Sequence, residues 1–133
     1  MLSYDLTEEQ EILRKTVRDF AENEIGPQAQ QLDEKEHFSV ELTKQMAELG
    51  LFGMFVSEEY GGSEMGYIAY IIAVEELARV DGSHAATVAA GNSLGIGPLY
   101  YFGNEQQKKQ YLPALCSMDG DEFRLAGFGL TEP

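Results

Sequence analysis

Ile68, Ile71, Ile72, Val74, Leu77, Ala78 and Val80 recur at helical spacing and leave only a narrow polar stripe at Glu75, Glu76 and Arg79. That pattern predicts a helix over 67–80, buried on most sides. The chain then carries no formal charge from Gly82 to Asn104, and Ala85–Gly91 is built of small residues. Small side chains on a buried helix let another backbone, or a ligand, come close. A membrane span is the rival reading of so long an uncharged run. Ser83, His84, Asn92, Ser93, the interspersed glycines and Pro98 break up its apolar surface, so a buried helical hairpin in a soluble domain is the better reading.

The flanking pattern is helical as well. Thr7 and Gln10 have the spacing of a capping box, with Glu8 and Glu9 in the first turn, where the helix dipole favours anions. Ile12, Leu13, Val17, Phe20 and Ala21 form one apolar face, and Gly26-Pro27 is expected to end that helix. Pro27 suits the first position of a shorter one through Leu32. Ser39 caps a third helix carrying Leu42, Met46 and Leu49, with Gly50 as its stop. Leu51–Val56 is too short and glycine-broken for a helix and reads as a connector into the turn at Ser57–Gly62. Asp81-Gly82-Ser83 stops the long helix and caps the next; Pro98 opens a short turn that Gly103 closes. Asn104 and Gln107 start a last helix, expected to run to Leu112 before Pro113. A loop follows at Met118–Asp121. Arg124–Thr131 has no helical face and reads as a lone strand, which needs a partner sheet.

Composition narrows the function. The 133 residues make one domain with a modest core, and the formal charge is −14. Residues 1–66 hold 15 acids against 5 bases, residues 67–133 hold 8 against 4. Such a surface repels phosphate backbones and anionic lipid, so neither nucleic acid nor a membrane is an expected partner. Cys116 is the only cysteine, which excludes an internal disulfide and fits a reducing, cytoplasmic compartment. Met1–Glu9 is polar and acidic, unlike a signal peptide. His37, His84 and Cys116 lack partners at ligand or nucleophile spacing, so no metal site and no catalytic residue is assigned. Gly91, Gly95 and Gly97 do not follow a strand as a dinucleotide loop requires, and close helix packing explains the Gly91/Gly95 pair better.

Read in order, Glu58-Glu59-Tyr60-Gly61-Gly62, Val74-Glu75-Glu76-Leu77-Ala78-Arg79, Gly91-Asn92-Ser93-Leu94-Gly95, Phe102–Pro113 and Gly129-Leu130-Thr131-Glu132-Pro133 resemble the acyl-CoA dehydrogenases over nearly the whole chain. Ser57 departs from that pattern, where a proline is usual. The resemblance implies an all-α, orthogonal helical bundle over residues 1–122. Residues 123–133 would begin a middle β-barrel domain with its first strand. It implies α,β-dehydrogenation of an acyl-CoA by FAD: a glutamate beyond these residues takes the α-proton and hydride passes to the flavin. Electrons then go to electron-transferring flavoprotein, and the complete protein is a homo-oligomer, a tetramer. Phe128, Leu130 and Thr131 are the implied flavin contacts; Thr87, Ala90, Gly91 and Leu94 are the implied acyl-pocket positions. Residues 1–133 alone are then expected to be inactive and to hold FAD poorly. An acyl-CoA oxidase or flavin monooxygenase of the same fold, or a non-catalytic helical interaction module, are the alternatives.

Overall fold

A computed structural model describes residues 4–117 and 124–132. Helix α1 (Glu8–Phe20) starts at the Thr7 capping box: Thr7 Oγ1 accepts from the Gln10 amide, and the Gln10 side chain accepts from the Thr7 amide. The chain does not break at Gly26-Pro27. It passes through a wide turn, Ala21–Ile25, and continues as α2 (Gly26–Glu34). The Gly26 amide reaches back five residues to the Ala21 carbonyl. Pro27 cannot donate and its ring crowds the preceding turn, so widening that turn lets one helical path carry it.

The same device recurs later. α5 (Gly82–Ala90) runs through a wide turn, Gly91–Ile96, into α6 (Gly97–Phe102), and Pro98 again sits just past the widened turn. Between these paths lie α3 (Val40–Glu48), capped by Ser39, and α4 (Gly66–Ala78). The last helix, α7 (Glu105–Cys116), has the expected Asn104/Gln107 capping box but continues through Pro113. The carbonyl that Pro113 deprives of a donor is that of Lys109, on an exposed residue where water can serve it.

α4 packs against both α1 and α5, α3 against α5, and α7 against α6. Val17, Ile25, Leu42, Met46, Leu77, Val88, Ile96 and Leu112 fill the centre. The segment read as a mere connector belongs with them, since Leu51, Phe52, Met54 and Val56 are almost wholly buried. Gly50, Gly53 and Gly61 take positive φ to bend this segment around the core.

Two expectations fail on α1 and α4. Ile12 lies exposed, one position outside the buried stripe of α1. α4 is not covered on most sides: Ile68 and Ile71 are more than half exposed, while Glu76, assigned to the polar stripe, is only 3% exposed. Its carboxylate meets Arg18 through two hydrogen bonds of 2.8 and 2.9 Å and Arg79 through one of 2.7 Å. Packing α4 on α1 buries the glutamate because α1 brings a guanidinium to it.

Residues 124–132 are non-helical, and among the described residues no strand pairing is present. The expected strand would acquire its ladder only from a partner sheet. The Met118–Asp121 loop lies outside the described residues. Among the described residues no helix is long and apolar enough to cross a membrane, and no group of side chains could hold a metal ion.

Candidate functional site

The small-residue helix and its wide turn are held from below by one side chain. Asn92 is fully buried. Its Oδ1 accepts from the amides of Gly53 (2.8 Å) and Met54 (3.3 Å). Its Nδ2 donates to the carbonyls of Leu51 (2.8 Å) and Val88 (2.9 Å). A widened turn disturbs the i→i+4 ladder, and side chains meet the displaced carbonyls here. Ala89 O accepts from Ser93 Oγ at 2.7 Å and from the Tyr70 hydroxyl at 3.1 Å.

With that inner side fixed, spacing brings Thr87, Ala90 and Leu94 to the opposite side of the helix. Ala90 is exposed, Leu94 is half exposed, and Thr87 is partly covered, its hydroxyl donating to the Ser83 carbonyl at 3.1 Å. Gly91 is separated from these three. It is buried, and a Cβ placed on it would lie 2.6 Å from Cε1 of Phe52. The missing side chain makes room for a core ring.

Thr87 also lines a cavity of about 510 Å³ with His84, Asp81, Asp33, His37 and Phe38. Asp81 caps α5 through the His84 amide at 3.1 Å and hydrogen-bonds the His84 ring as well. Those contacts hold the Asp81 carboxyl below its usual range against the upward push of burial. Ala90 and Leu94 do not line that cavity.

An aromatic cluster flanks the other end. The Phe55 ring stacks on Tyr67 with centroids 4.9 Å apart, and on Tyr101 at 6.0 Å. The Tyr67 and Tyr101 hydroxyls hydrogen-bond each other, which pushes Tyr101 up to about 12. Tyr60 donates to Glu105 at 2.8 Å, and that bond pushes its own titration up to about 12. The glycine-paired turn is thereby tied to the start of α7.

Phe128, Leu130 and Thr131 are exposed on the terminal segment. Among the described residues, the amides of 125–132 find no backbone acceptor. Asn92 and the Arg18–Glu76 pair are structural supports that sequence reasoning missed. An uncharged run interrupted by one amide was the available signal for Asn92.

The sequence profile described as "Acyl-CoA dehydrogenase, N-terminal domain" matches residues 7–119. "Probable acyl-CoA dehydrogenase YngJ" of Bacillus subtilis (strain 168) is 46% identical over 132 residues, which are 99% of this chain and 34% of that protein. The fold is similar to butyryl-CoA dehydrogenase from Megasphaera elsdenii, with a TM-score of 0.87, 36% identity, 99% of this chain and 34% of that one. It is equally similar to acyl-CoA dehydrogenase complexed with FAD from Bacillus anthracis, with a TM-score of 0.87, 38% identity, 100% of this chain and 22% of that one. The chain thus spans about a third of the length of the curated relatives it matches. It belongs to the acyl-CoA dehydrogenase family, whose N-terminal helical domain it represents.

Proposed function

We propose that this chain is the part of an FAD-dependent acyl-CoA dehydrogenase that walls one side of the acyl pocket and leads into the flavin site. The observation that carries the reading is the uncovered side of α5 and its wide turn. Thr87, Ala90 and Leu94 are displayed there while Asn92 pins the opposite side. An acyl tail needs a mostly apolar surface with few polar groups, and Ala90, Leu94 and Thr87, whose hydroxyl is engaged by the Ser83 carbonyl, offer one wall of it. Gly91 contributes indirectly, by admitting Phe52 beneath that wall.

The donor set of the terminal segment suits a flavin. Reduced flavin carries negative charge near N1 and O2, and the Leu130 and Thr131 amides with the Thr131 hydroxyl are donors left uncommitted among the described residues. Phe128, 56% exposed, is available to lie beside a ring. When bound, FAD supplies the two-electron oxidation of the acyl chain. In this reading residues 1–122 form the helical domain and 123–133 enter a β domain. The proton acceptor belongs to another part of the complete protein. Electrons leave to electron-transferring flavoprotein, and the assembly is a homotetramer.

The experiment is Ala90→Phe in the full-length protein, with kcat/KM compared from butyryl- to dodecanoyl-CoA. A bulky ring on the proposed wall lowers kcat/KM for the longer chains by tenfold or more relative to the shorter ones. An unchanged ratio removes the wall from the pocket.

A further inference from the structure

Residues 124–126 lie against the bundle. The Arg124 amide donates to the Ala114 carbonyl of α7 at 3.3 Å. Two residues on, Ala126 rests on Gly95: a Cβ built on Gly95 would come 2.7 Å from Ala126 Cβ and 3.0 Å from its carbonyl oxygen. Gly95 is buried in the wide turn, and its φ is not in the left-handed region. Alanine could therefore adopt the backbone there. What it could not do is share the space with Ala126, so glycine is required at 95 by the tail and not by the turn.

Beyond Ala126 the segment has no described anchor, and Phe128 and Leu130 stand 56% and 78% exposed. Leu130 lies four positions beyond Ala126, an extended reach of about 13 Å. Where Ala126 is seated limits where the Leu130 and Thr131 donors can be presented. Gly95 is also the residue after Leu94, in a turn that Asn92, Ser93 and Tyr70 hold in place. One glycine therefore sets the separation between the acyl wall and the segment carrying the flavin donors.

We infer that Gly95 is a positioning residue for the flavin site, acting through Ala126; the inference rests on the flavin reading given above. Gly95→Ala pushes the segment off the bundle and misplaces the donors, whereas Ala126→Gly in the same chain gives back the Cβ space. The test uses the full-length protein stripped of FAD and titrated with FAD by flavin fluorescence. Hydrogen exchange over residues 124–132 is followed in parallel. Val17→Ala, a core truncation in α1 outside the clamped turn and the proposed wall, controls for lost stability. Ala126→Val adds the same bulk from the tail's side and leaves the bundle intact if Gly95→Ala should not fold.

The expected result is FAD binding weakened by about tenfold or more in Gly95→Ala and in Ala126→Val, with faster exchange over 124–132. Most of the loss is recovered in Gly95→Ala/Ala126→Gly, and Val17→Ala binds FAD like the parent. Undiminished binding in Ala126→Val or Gly95→Ala overturns the proposal, as does an equal loss in Val17→Ala or a double variant no better than Gly95→Ala. A parent protein that takes up no FAD sinks the flavin reading itself, and this proposal with it.

Discussion

The Gly53 amide donates to Asn92 Oδ1 at 2.8 Å across 39 residues of chain, and the carbonyl of Leu51 accepts from the same side chain. That pairing makes the irregular segment 51–56 part of the core. Asn92→Ala leaves the Gly53 and Met54 amides and the Leu51 and Val88 carbonyls without their side-chain partner in a buried setting. Unpartnered buried groups cost about 1–3 kcal/mol each, some of which water recovers, so a total loss of about 3–4 kcal/mol is expected. Urea unfolding measures it as a lower midpoint at unchanged slope. A loss below about 1 kcal/mol shows instead that the segment holds itself.

Glu76 makes stability depend on pH in a defined window. The Arg18 hydrogen bonds, helped by Arg79 and opposed by burial, hold its carboxyl at about 2. A depressed carboxyl contributes stability above its ordinary pKa and loses it as pH falls toward the folded value. Between about pH 4.5 and pH 2 the unfolded chain binds the extra proton, so stability there rises with pH. Arg18 and Arg79 are partly exposed, so after solvent screening the contribution is about 2 kcal/mol. Unfolding of the parent and of Glu76→Gln at pH 2.5 and pH 6 checks it: the gap between the two proteins should narrow at the lower pH. A gap that stays constant removes Glu76 as the source.

The helices were legible because local chemistry decided them. Thr7/Gln10, Ser39, Asp81 and Asn104/Gln107 cap where their spacing says they should. What misled were the residues whose roles are set across the chain. Pro27 does sit at the start of a second helix, but a widened turn joins it to α1 where a break was expected, and Pro113, read as a stop, is carried inside α7. Glu76 read as solvated because its Arg18 partner lies 58 positions away. The candidate site was legible as a stripe of small residues, Ala85–Gly91. Its division into an outward Ala90 and an inward Gly91 is set by Phe52, which no periodicity within α5 could announce.

Gly91 and Phe52 should couple. Gly91→Ala places a methyl 2.6 and 2.9 Å from two ring carbons, and overpacking of this kind costs about 1–3 kcal/mol. Phe52→Leu alone opens a void. In Gly91→Ala/Phe52→Leu the new methyl occupies part of that void, so the double variant loses less than the two singles together, by about 1 kcal/mol. A double-mutant cycle in urea decides the matter. Strict additivity means that the ring moves aside freely and that Gly91 is not required for its packing.

Cys116 offers a report on whether this packing opens. The thiol is 3% exposed, and burial pushes it up to about 12. Its sulfur lies 2.5 Å from where a side chain on Gly53 would begin, and Gly53 holds a φ of +72°. The end of α7 is thus packed directly on the segment that Asn92 clamps. Thiolate is the nucleophile, and burial keeps the thiol protonated in the closed state at pH 8, so labelling must proceed almost wholly through opening. Folded protein is therefore expected to react with a disulfide reagent far more slowly than urea-unfolded protein. Asn92→Ala should accelerate the native reaction, since it loosens the wall against which the sulfur rests. Stoichiometric labelling of the folded parent within seconds would contradict that closure, and equal rates for parent and variant would show that α7 opens without releasing segment 51–56.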